Sequence, residues 1–130
     1  MIVYVSMPDR GVELEFLAEI LDTCESEIQS WCEIISSTRT EQPEYRRIEI
    51  LHDGKAITLD HSTVLTGINR LLKDYNPRVH KGGMNLVVPT FGQICEWLIM
   101  SINDGDTSMV DADVADAIIQ YGVLGSMEYS

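Results

Sequence analysis

The run Tyr45-Arg46-Arg47-Ile48-Glu49-Ile50-Leu51-His52-Asp53-Gly54-Lys55-Ala56-Ile57-Thr58-Leu59 decides the fold. Two segments with alternating apolar residues flank Asp53-Gly54, and Asp-Gly supplies the positive φ angles of a two-residue type I′ turn. That turn sets the register. His52 falls opposite Lys55, Ile50 opposite Ile57 and Ile48 opposite Leu59, while Glu49 and Thr58 pair on the other face. One face of the hairpin is apolar and needs cover; the other can meet water. This predicts an antiparallel sheet with helices packed on one side.

Downstream, Asp60 or Ser62 can cap a helix whose buried stripe is Val64, Leu65, Ile68, Leu71, Leu72 and Tyr75, ended by Asn76-Pro77. Residues 76–88 read as a loop containing Gly82-Gly83, followed by Leu86-Val87-Val88 and Pro89. Thr90 can cap a further helix on Phe91, Ile94, Cys95, Leu98 and Ile102, and Asn103-Asp104-Gly105-Asp106 reads as a turn. Asp111 is a good cap for the last helix. Asp113 and Asp116 lie in its first turns, where the helix dipole favours negative charge, and Val114, Ala115, Ile118 and Ile119 form its apolar face. Gly122 reads as its stop and Val123 to Tyr129 as a short extended tail.

Upstream, residues 38–44 read as a polar loop ending in Pro43. Before it, Leu14, Leu17, Ala18 and Leu21 predict a helix from Val12 to about Cys24. A turn at Glu25-Ser26-Glu27 and a strand over residues 28–37 follow; one long helix to about residue 35 is the competing reading. Ile2-Val3-Tyr4-Val5 is a candidate short strand, interrupted by Pro8-Asp9-Arg10-Gly11. The expected class is α+β: a small antiparallel sheet including the hairpin 45–59, packed against three to four helices in a single domain, 1–130, without internal repeats.

With 130 residues the chain can bury a core unaided, and 45% apolar and 23% charged residues are ordinary globular proportions. Cys24, Cys32 and Cys95 are odd in number and lack a pairing pattern, which favours reduced thiols in a cytoplasm. Met1-Ile2-Val3-Tyr4-Val5 lacks a basic leader, and the apolar run Ile94 to Ile102 is far short of a span, so no membrane partner is expected.

The net charge of −12 is distributed unevenly. Residues 9–33 carry eight acids against one base (−7), residues 34–81 six acids against eight bases (+2), and residues 82–130 seven acids against none (−7). Direct nucleic-acid binding is disfavoured, because phosphate contacts need a surplus of Lys and Arg. A basic protein surface is the expected partner, with Glu13, Glu15, Glu19 and Asp22 as one candidate acidic face and Asp111, Asp113 and Asp116 as the other. Trp97, off the main stripe of its helix, is the candidate exposed anchor. Arg70, Lys73, Arg78 and Lys81, with His80 among them, form a candidate basic patch. That patch could meet the acidic face of a second copy in a homodimer, balance the acidic lobes within one molecule, or complement the end of its helix.

Chemistry-bearing patterns are few. In an EF-hand, the positions that precede Gly105 and must carry ligands would be Met100, Ile102 and Asp104, two of them apolar, so the calcium pattern fails. Cys24 and Cys32 lack zinc-finger spacing, and His52, His61 and His80 are scattered. No nucleophile elbow, phosphate loop or dinucleotide fingerprint is present. The expectation is a non-enzyme without cofactor or metal. The alternatives are a homo-oligomeric assembly protein and an enzyme pairing Cys32 with His52 or His61, or holding a metal on its C-terminal aspartates.

On Leu14 to Leu21, Trp31-Cys32, Thr58 to Leu72 and above all Asp111 to Tyr129, the chain resembles a family of small acidic proteins of phages, prophages and integrative elements. It departs from that pattern at Glu25-Ser26-Glu27, where a glycine-rich turn is usual, and at Ser130, where the family tail ends in Gly. The resemblance implies a mobile-element origin; together with the uneven charge and the missing catalytic patterns, it leads to the expectation of a protein that binds, and in the narrower version inhibits, a basic host protein such as a defence nuclease. It brings no active-site residues with it.

Overall fold

A computed structural model describes residues 10–41, 44–79 and 90–129, and side chains within residues 14–40, 46–79 and 90–129. The expected strands at Ile2–Val5 and Leu86–Val88 and the loop glycines Gly82-Gly83 lie outside the described residues. The protein is α+β. Helix α1 (Arg10–Cys24) and a short 3-10 turn (Ile28–Ser30) lead into strands β1 (Glu33–Glu41), β2 (Glu44–His52) and β3 (Lys55–Leu59). Helices α2 (His61–Asp74), α3 (Phe91–Asp104) and α4 (Ala112–Leu124) follow.

The strands form an antiparallel sheet in the order β1-β2-β3. The hairpin has the predicted register: His52 with Lys55, Ile50 with Ile57, Ile48 with Leu59, and Glu49 with Thr58. Asp53 and Gly54 take φ angles of 50° and 76°, as a type I′ turn requires. Ile48, Ile50 and Leu59 are completely buried against α1 and α2, whereas Leu51 and Ala56 face outward. Helix α4 packs on α1 and α2, and α3 packs on α4, so the apolar core runs from the inner face of the sheet through to α4.

The region after α1 resolves in favour of a turn and a strand, with a shift. The helix stops at Cys24 and residues 25–27 turn, but Ile28 to Ser30 wind into the 3-10 turn and the strand begins only at Glu33. It then continues through residues 38–41, which the sequence suggested as loop. Thr38, Arg39 and Thr40 pair with Arg47, Arg46 and Tyr45, so partnership with β2 overrides their weak apolar character. A register shift between Ile34 and Ser36 turns Ile35 out into solvent. On α1 the buried arc is wider than the predicted stripe, because Phe16 and Ile20 are buried as well as Leu17, Ala18 and Leu21.

Three helices begin as expected. Asp60 accepts from the backbone N–H groups of Ser62 and Thr63, Thr90 from that of Gln93, and Asp111 from that of Val114. Leu65, expected in the buried stripe of α2, is instead exposed. Gly122 does not stop α4. The helix continues to Leu124 and ends at Gly125, which takes the left-handed conformation at φ 81°. Gly122 serves packing: a Cβ there would stand 2.5 Å from the carbonyl oxygen of Thr63 on α2. Together with Gly67 it lets α2 and α4 touch backbone to backbone.

Candidate functional site

The first acidic lobe meets the second at Asp106, while Asp111, Asp113 and Asp116 do not line this site. Glu15, Phe16 and Glu19 of α1 and Gly105 and Asp106 of the turn after α3 line a shallow cleft of about 250 Å³. Amphipathicity brings this about: burying Phe16, Leu17 and Ile20 leaves Glu15 and Glu19 towards solvent on the same helix. The turn is fixed by Gly105 in the left-handed conformation (φ 74°), capping α3. A hydrogen bond from the Thr107 hydroxyl to the Glu19 carboxylate joins the two segments across 88 positions of sequence. Asp106 accepts from the Ser108 backbone and side chain, which holds its carboxyl below the usual range, so it is charged at neutral pH.

The remaining acids of the expected surface divide. Asp22 is not open to a partner, because it accepts from Arg46 Nε at 2.7 Å and from Arg39 Nη1 at 2.9 Å. Arg46, with its side chain 7% exposed, also reaches Glu25 at 3.0 Å and donates to the Ser37 hydroxyl. Asp111 and Asp113 are exposed at the start of α4. Burial, then the neighbouring charges of Asp111 and Asp116, pushes the Asp113 carboxyl upward. Glu13 lies within α1, and its side chain is outside the described residues.

Asp116 is half-buried and already bonded within the fold. Its Oδ1 accepts the indole N–H of Trp31 at 2.8 Å and its Oδ2 accepts from Gln120 Nε2 at 2.8 Å. Gln120 is completely buried, and its carboxamide pairs with the chain beyond α4. Oε1 accepts from the backbone N–H groups of Glu128 (3.0 Å) and Tyr129 (2.8 Å), and Nε2 donates to the Tyr129 carbonyl at 2.8 Å. The Tyr129 ring lies parallel to that of Trp31, 4° apart with centroids at 5.6 Å, and its hydroxyl shares a 3.0 Å hydrogen bond with His52 Nε2. The sequence reading missed this clamp. Its one signal was Gln120 on the buried side of an otherwise apolar helix face.

One member of the expected basic patch is engaged within the fold. Arg70 donates to the carbonyls of Tyr121 and Gly122, and so serves the C-terminal turn of α4. Lys73 and Arg78 are exposed at and beyond the end of α2, and His80 and Lys81 lie outside the described residues. Trp97 is half-buried against the core.

The cysteines are free thiols. Burial pushes Cys32 up to about 11 and Cys95 up to about 12, and Cys24 higher still, so all three stay protonated at neutral pH. Cys32 donates to the carbonyl of Ile28, His61 Nε2 accepts the backbone N–H of Arg46, and His52 is engaged with Tyr129. Among the described residues, no group of three or more His, Cys, Asp or Glu is placed to hold a metal ion. Among them, too, no helix is long and apolar enough to cross a membrane. No protein-family model, no curated protein and no solved structure matches the chain.

Proposed function

We propose that this is a non-enzymatic interaction protein, encoded by a mobile element, that binds a basic surface on a host protein through the cleft edged by Glu15, Glu19 and Asp106. The observation that carries the reading is the junction of Glu19 with Thr107, which brings the two acidic segments to one place over Phe16. Arg39 and Arg46 are engaged with Asp22 and Glu25. Clustered like charge beside an apolar floor steers an oppositely charged partner and gives it an anchor point. The protonated thiols, with His52 and His61 bonded elsewhere, argue against the Cys–His enzyme.

The test is a host-lysate pull-down at low and high salt with wild-type protein and with Glu15→Gln/Asp106→Asn. A specific catch is expected at low salt, released at high salt and lost with the neutral variant. Recovery of nothing at low salt, or a catch indifferent to the substitutions, overturns the proposal. A homo-oligomeric assembly protein is the second reading, favoured by exposed Lys73 and Arg78 on the same small chain. Light scattering across concentration decides it, and a strict monomer removes it.

A further inference from the structure

The segment Gly125–Tyr129 is exposed along its length, yet its last two residues are held by a completely buried side chain. Gln120 offers one oxygen to two successive backbone N–H groups, which turns both to the same side of the chain, and a donor to the Tyr129 carbonyl. These contacts read main chain and are indifferent to side chains. The side-chain reading is done beside them: Trp31 supplies a flat apolar face to an aromatic ring, and His52 supplies a hydrogen-bonding nitrogen at the position of a phenol oxygen. Asp116 fixes both readers, one oxygen on the Trp31 indole and the other on the Gln120 amide. The readers come from the turn before β1, the end of β2 and α4, so the slot is built by the folded domain. The segment that fills it is attached only through Gly125-Ser126-Met127.

We infer that the slot formed by Trp31, His52 and Gln120 is a docking site for a peptide carrying a tyrosine, contributed by a partner protein, and that Glu128-Tyr129 is an intramolecular occupant competing for it. The seated residues define the ligand chemistry: two successive main-chain N–H groups turned to one side, and a phenol ring. The slot shares no residue with the acidic cleft, so the inference stands apart from the function proposed above. Attachment through a short linker gives the intramolecular occupant an effective concentration of about a millimolar. A peptide with a dissociation constant near 100 μM is therefore weakened about ten-fold by competition in the wild-type chain.

The experiment uses the full chain carrying Glu128→Pro and Tyr129→Ala, which removes one N–H bonded to Gln120 and the stacked ring, in a Trp97→Phe background so that Trp31 alone reports. A synthetic peptide, Gly-Ser-Met-Glu-Tyr-Ser, is titrated while indole emission is followed. The expected result is saturable binding about ten-fold tighter than to the Trp97→Phe chain with its own segment intact. Replacing tyrosine by phenylalanine should weaken it several-fold, and replacing it by alanine should abolish it. No binding to a folded released variant, equal binding to both chains, or undiminished binding after Gln120→Ala overturns the inference. A wild-type dimer that the released variant fails to form would place a second copy in the slot, and so overturn the assigned occupant. If the released variant does not fold, hydrogen exchange on wild-type protein decides: excess peptide should accelerate exchange at the Glu128 and Tyr129 amides, and unchanged rates overturn it.

Discussion

Gly67 of α2 lies so close to Ile118 of α4 that a Cβ added to it would stand 2.0 Å from the Ile118 carbonyl oxygen. The obstacle is helix backbone, which cannot rotate away as a side-chain tip could, so the two helices would have to separate. Gly67→Ala should therefore cost about 1–3 kcal/mol or more by overpacking, despite the better helix propensity of alanine. Urea denaturation measures it. Gly54→Ala is the control: nothing lies within 4 Å and only its φ of 76° opposes the change, so it should cost about 1 kcal/mol. Equal losses at the two positions would contradict the close crossing.

Arg46 ties β2 to α1 through Asp22 and Glu25. Arg46→Met keeps much of the apolar stem, strands the Glu25 carboxylate and leaves Asp22 to Arg39, both carboxylates being one-third exposed. A loss of about 1.5–3 kcal/mol is expected, the range for hydrogen bonds to charged groups. Arg46→Lys should recover only part of it, because an ammonium cannot span both carboxylates as the guanidinium fork does. Full recovery by lysine would reduce the cluster to simple charge balance.

Asp60 caps α2. Burial works to raise its carboxyl, but hydrogen bonds from Ser62 and Thr63 outweigh that and hold it below the usual range. A group whose folded value is depressed stabilises fully above its unfolded value, about 3.9, and loses that contribution as pH falls through the folded value. Asp60→Ala should cost about 1 kcal/mol at pH 7. Asp60→Asn should keep most of the cap and flatten this part of the acid limb in a melting-temperature series. An unchanged acid limb in Asp60→Asn would contradict the assignment.

What the sequence made legible was local. The register of β2 and β3 is written in Asp53-Gly54, and the helix starts in Asp60, Thr90 and Asp111, because each is decided within four residues by one turn or one side-chain bond. Glycine was the ambiguous letter. Gly122 read as the stop of α4, but it is Gly125 that adopts a positive φ; Gly122 is small because Thr63, far away in sequence, passes beside it. β1 was under-read at its far end for a related reason: residues 38–41 gain strand structure by pairing with β2, and their polar character does not announce it. Of the site, Glu15 and Glu19 were legible as an acidic face, whereas Asp106 read only as part of a turn. The meeting of the two segments at Glu19 and Thr107 was not legible, nor was the pairing of Trp31 with Asp116, since neither leaves a periodic trace.

The hydroxyl-rich strand β1 has one more consequence. It is an outer strand of the sheet among the described residues, and such a strand offers unpaired backbone groups to any other chain. Its ladder is broken at Ile35, and the stretch beyond carries Arg39 among serines and threonines. A kinked, charged, strongly hydrated border is a poor template for a growing fibril. The polar character that made residues 38–41 read as loop thus discourages self-templated aggregation when the protein accumulates.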